Sequence, residues 1–162
     1  MRAVDRALVD EVWSELTGYD AARTADEARE FLARQPHVAG FSHAVTQGQD
    51  EAVQRAALGL CFLLFKVLEA SLGRPFPEVT EARIVAAHTE ARAAIGELGA
   101  PDGETVLRAM DAVAGAGLVG HILASFYGGD GAGARYDDGV RANLALLLGT
   151  LAGALDLGRV EG

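Results

Sequence analysis

The chain has 162 residues, half of them hydrophobic but only 6% aromatic, and 23 acids against 14 Lys and Arg give it a formal net charge of −9. A length of this order predicts a single domain, 1–162, with a core built from Leu, Val and Ala. The dispersed acid excess and the lack of any Lys/Arg cluster argue against binding nucleic acid or an anionic membrane surface, both of which need concentrated positive charge.

Little β-branched alternation is present, so the elements read as helices and the fold class as all-α. A first helix over 4–16 puts Leu8, Val9, Val12, Trp13 and Leu16 on one face and Arg6, Asp10, Glu11 and Ser14 on the other. Asp5, Asp10 and Glu11 stand where a secretory signal needs an apolar run, which makes a cytoplasmic location the expectation. Thr24–Glu27 has the form of a capping box and is expected to open the second helix. That helix stops before Pro36, because the residue preceding a proline avoids helical geometry. Pro36 suits the first position of a third helix reaching about residue 46, with Val38, Phe41 and Val45 inward.

After a turn over 47–50 comes the most apolar stretch, 52–72. Arg55, Gly59, Phe62, Lys66 and Glu69 recur at spacings of four, three, four and three, and nearly everything else is apolar. The pattern predicts a central helix buried around most of its circumference, with one thin polar seam. Leu58, Cys61, Leu64, Phe65 and Leu68 should be its buried side, and Cys61, the only cysteine, an inert core thiol. Gly73 is placed to end it, and residues 74–77 form a linker. Its apolar run is too short to span a bilayer.

A fifth helix from Thr80 to about residue 98 carries Ile84, Ala87, His88, Ala91 and Ile95 on one face. A sixth is expected over 102–126, bent around Gly115 and Gly117. A glycine-rich loop over 128–135 lacks the strand and Lys-Ser/Thr of a phosphate-binding loop. A seventh helix, over 138–157, collects small residues on one side (Ala142, Ala145, Gly149, Ala152, Gly153) and leucines on the other. Interior glycines cost about 1 kcal/mol each, so the small faces of the sixth and seventh helices are expected to meet. They would do so within one chain or across a homodimer axis. The architecture is thus a bundle of six or seven helices around 52–72, with two related helical-hairpin halves a further expectation.

The four histidines do not fall at metal-ligand spacing and no Glu-x-x-His pair occurs, so neither a metal site nor a cofactor is expected. No catalytic residue set is legible. The expectation is a non-enzymatic acidic protein working through protein–protein interaction or self-association. The rival reading is a small-molecule- or metal-binding bundle, an enzyme among the options, with His88, His121, Lys66 and Glu69 as the polar lining of a pocket.

Overall fold

The computed structural model describes residues 2–115, 117–128 and 136–155, and among these the secondary structure is entirely helical. The eight helices are α1 (Arg6–Thr17), α2 (Ala21–Arg34), α3 (Pro36–Val45), α4 (Glu51–Leu72), α5 (Glu81–Gly96), α6 (Gly103–Ala114), α7 (Leu118–Gly128) and α8 (Asp138–Ala154). Short acceptor side chains start six of them. Asp5, Asp20, Asp50, Thr80, Asp102 and Asp137 each accept the backbone N–H three residues on, an interaction that contributes about 1 kcal/mol per helix. For α3, Pro36 in the first turn removes one otherwise unpaired donor instead.

Helix α4 is the expected central element. Its last turn closes on Gly73 at φ 74°, a left-handed conformation that glycine adopts without strain. Cys61, Leu64, Phe65 and Leu68 are buried, and burial pushes the Cys61 thiol up to about 12. Leu58 is half-buried, because it lines a surface groove between α3 and α4.

Two boundaries differ from the sequence reading. Helix α2 starts at Ala21, since Asp20 accepts the Arg23 N–H at 2.7 Å and caps the chain before Thr24 is reached. Glu27 is therefore free of capping duty. The expected sixth helix is two, α6 and α7, because Gly115 (φ 80°) and Gly117 (φ 66°) both take left-handed conformations that no helix continues through. The glycine loop beyond Gly128 and residues 156–157 of the last helix lie outside the described residues.

The neighbour relations of α1–α4 recur in α5–α8. Helix α1 packs on α4 as α5 packs on α8, α3 on α4 as α7 on α8, and α2 on α3 as α6 on α7. Across the middle, α1 meets α7 as α5 meets α3, α4 meets α7 as α8 meets α3, and α4 meets α8. The related unit is four helices rather than a hairpin, and α8 shares the centre with α4: Leu144, Leu147, Leu148 and Leu151 are all fully buried.

Two relations are not repeated. Helix α5 packs on α6, whereas α1 does not pack on α2 in the same way. Helix α6 lies close along α8, whereas α2 does not lie close along α4. Counted from the caps Asp50 and Asp137, Phe62 and Gly149 are equivalent, as are Lys66 and Gly153. A Cβ on Gly149 would stand 2.7 Å from Met110 Cβ, and one on Gly153 would touch Ala87 and Val113 at 3.8 Å. The small face of α8 is thus filled within the chain. Its partner is the Met110 side of α6; of the expected partner line, Gly120 instead packs under Asp111, whose carboxylate accepts its N–H at 2.8 Å.

Gly149→Leu should therefore lower stability by at least the ~1–3 kcal/mol typical of overpacking, read as a drop in the denaturation midpoint. Met110→Ala in the Gly149→Ala background should be less harmful than either change predicts by addition, since the second opens the space that the first needs. Additive losses would mean that the two positions do not share that space.

Candidate functional site

The seam on α4 is covered by α2. Lys66 Nζ lies 3.4 Å from Glu27 Oε2, and Glu69 Oε1 lies 3.8 Å from Arg34 Nη2. Between these pairs Phe31, 2% exposed, meets the edges of Phe62 and Phe65 with ring centroids 5.5 and 5.2 Å away. Glu69 also accepts the Phe76 N–H at 3.4 Å, tying the 74–80 linker to α4. Phe62 thus acts as a spacer where α8 has Gly149, and long side chains bridge the interval. Satisfaction here is incomplete: Glu27 Oε2 and Arg34 Nε are buried without a hydrogen bond. Arg55, the other end of the seam, is exposed and pairs with Glu51 at 3.2 Å.

Gln35 was not picked out by sequence, yet it fixes one end of α2. Buried to 2% exposure, it donates from Nε2 to the Pro77 carbonyl and accepts the Val79 N–H on Oε1, both at 2.9 Å. Its only sequence signal is its place before Pro36, which marks a helix end and not a long-range clamp.

The two histidines of the candidate set go elsewhere. His88 on α5 is half-buried, edge-on to Phe41 of α3 at 5.2 Å between ring centroids. Neither ring nitrogen has a hydrogen-bond partner among the described residues, contrary to the expectation for a buried imidazole. His121 on α7 turns back over Gly117, whose Cβ position would be 3.1 Å from His121 Nε2. The four candidates are therefore not one pocket: Lys66 and Glu69 share the α2–α4 seam, while His88 and His121 sit on separate helices with separate neighbours. Among the described residues no group of three or more His, Cys, Asp and Glu side chains is arranged to hold a metal ion. The Ser71 hydroxyl donates to the Arg2 carbonyl, and Ser125 donates to Asp10 at 3.3 Å.

Open grooves surround this core. One, about 290 Å³, runs between α1 and α4 and includes Lys66 and Glu69; another, about 380 Å³, lies between α5, the start of α6 and α8. No helix among the described residues is long and apolar enough to cross a membrane. No family model, curated protein or solved structure matches the chain.

Burial, and secondly the positive charge of Arg92, lower the His88 pKa below its ordinary 6.5. A histidine depressed in the folded state favours folding above its unfolded pKa, and that contribution is lost as pH falls from about 6.5 through the lower folded value. Denaturation midpoints measured across that window should decline with acid. The decline should be shallower in His88→Phe, which keeps a ring against Phe41; an identical pH profile would remove His88 from the account.

Proposed function

We propose that the chain is a non-enzymatic helical interaction protein whose docking face is the α5–α6 side. The observation that carries this reading is where the large apolar side chains reach solvent. Among the described residues they are Val85 (57% exposed), Leu98 (46%) and Val113 (42%), on α5, just beyond it and on α6. Exposed large apolar groups with charge around them are the usual composition of a contact surface. The surrounding charge is acidic: Glu78, Glu81, Glu90, Glu97 and Glu104 lie on this segment, and only Glu104 has a salt-bridge partner on it, Arg108 at 3.3 Å. A partner presenting apolar side chains flanked by Lys or Arg suits that face, the charge setting encounter rate and orientation more than affinity.

The polar groups at the centre support the same reading, because they pair with one another in structural roles. Lys66 and Glu69 hold α2, Gln35 holds the linker, and the hydroxyls of Ser71 and Ser125 have acceptors. The small face of α8 offers no surface for self-association, since Met110, Ala87 and Val113 already occupy it.

The test is differential capture. Parent protein and a Val85→Glu/Val113→Glu double variant, the latter checked for an unchanged helical spectrum, are each presented to extract from the producing cells. The proposal expects one or more basic proteins to be retained in a salt-sensitive manner by the parent and lost by the variant. Identical retained sets would show that this face is not where partners dock.

A further inference from the structure

The linker over 74–79 is the covalent connection between the two four-helix units, running from the end of α4 to the cap of α5. Two of its residues, Pro75 and Pro77, have no N–H to give. Among the described residues its backbone makes three hydrogen bonds, and all three go to side chains. The Pro77 carbonyl accepts from Gln35 Nε2 at 2.9 Å, the Val79 N–H donates to Gln35 Oε1 at 2.9 Å, and the Phe76 N–H donates to Glu69 Oε1 at 3.4 Å. Two side chains therefore carry the polar hold on a stretch whose Phe76 and Val79 are buried.

Both of those side chains also hold α2. Gln35 closes that helix, its own N–H donating to the Phe31 carbonyl at 2.8 Å. Glu69 Oε1, the atom that receives the Phe76 N–H, is also the atom that faces Arg34 Nη2 at 3.8 Å. The apolar hold is shared in the same way. Phe65 of α4 meets Phe31 of α2 with ring centroids 5.2 Å apart and Phe76 of the linker at 6.0 Å, both edge-on. A further contact of the linker, Glu78 Oε1 to His37 Nε2 of α3 at 3.9 Å, joins exposed groups and adds little. Helix α2 in turn has little else to hold it, since Phe31 is its only buried residue. Groups with common partners do not break independently, because the loss of one leaves the shared partner unsatisfied or exposed.

We propose that α2 and residues 74–79 are a single conformational unit latched by Gln35, so that α2 does not leave α4 without freeing the joint between the two four-helix units, and the joint does not loosen without freeing α2. Native proteins open locally in cooperative pieces bounded by their weakest contacts, and the shared partners Gln35, Phe65 and Glu69 put α2 and the linker in one such piece. Opening uncovers Phe62 and Phe65 on α4 and slackens the connection to α5 at the same time. A change at the surface of α2 is thereby felt at the start of the second unit. Gln35 serves as the latch because one amide both donates to the linker and accepts from it, while its backbone belongs to the end of α2.

Native-state hydrogen exchange on the full chain, read amide by amide, tests the coupling. In the parent, residues 26–30 of α2 and Val79 of the linker should open with one common free energy and one common, shallow denaturant dependence. Phe76→Ala changes a linker residue whose ring contact is with Phe65 of α4 and not with a ring of α2. It should speed exchange at residues 26–30 by about tenfold or more, the scale expected when a buried aromatic ring is lost, with the shallow dependence of a local opening kept. Phe31→Ala should do the same at Val79. Gln35→Met, which fills the space but makes neither bond, should speed residues 26–30 and the Phe76 N–H by a common factor. If an alanine variant does not fold, Phe76→Leu and Phe31→Leu make the same comparison with a smaller factor. The proposal is overturned if residues 26–30 keep the parent exchange in the Phe76 variant, if Val79 keeps it in the Phe31 variant, or if the two segments of the parent open with different free energies.

Discussion

Met110 fills the space that a side chain at residue 149 would need, and the arrangement of the second half of the molecule depends on that contact. With hydrogen alone at Gly149, α6 comes close along α8, and Gly153 lets Ala87 and Val113 close over the next turn. The interior glycines each cost helix stability, and dispersion contacts across the close crossing offset that loss. Helix α8 is buried on most sides as a result and takes an equal place with α4 at the centre.

The first half shows what happens when the same positions are large. Phe62 and Lys66 stand where α8 has its two glycines, and α2 is held off by side-chain length. It is anchored by one buried residue, Phe31, by two partly exposed ion pairs and by the Gln35 clamp at its end. Ion pairs of this kind contribute little net stability, because desolvation offsets much of the attraction. The aromatic cluster and Gln35 are therefore the stronger attachments.

The elements were legible in sequence where local chemistry decides them. Thr80 marks the start of α5, Gly73 marks the end of α4, and apolar periodicity identifies Cys61, Leu64, Phe65 and Leu68 as core. The Thr24–Glu27 pattern looks like a cap, but Asp20, a carboxylate three residues before the Arg23 amide, is as good a one and comes first in the chain. Gly115 and Gly117 were seen as a bend; whether such glycines bend a helix or break it depends on φ, which composition does not encode. Long-range pairing was the least legible. Periodicity marked Gly149 as part of a small face but could not name Met110 as its partner. Nor could it connect Gln35 to Pro77 and Val79 across the chain. The α2–α4 pairing does leave a trace in sequence: Glu27, Phe31 and Arg34 repeat the four-and-three spacing of Phe62, Lys66 and Glu69 with complementary charge. The histidines misled, because position on an apolar face says nothing about whether two such faces meet.

Helix α6 is locked against α8 and α2 is braced at a distance from α4, and native-state hydrogen exchange measures that difference directly. Amides in the interior of α6, from about Leu107 to Asp111, should exchange only through global unfolding, with a free energy that tracks the denaturant dependence of the whole chain. Amides in the interior of α2, from about Asp26 to Glu30, should exchange through a smaller local opening with weak denaturant dependence. Equal protection of the two helices, or faster exchange in α6, would contradict the claim that Gly149 and Phe62 set the two halves apart.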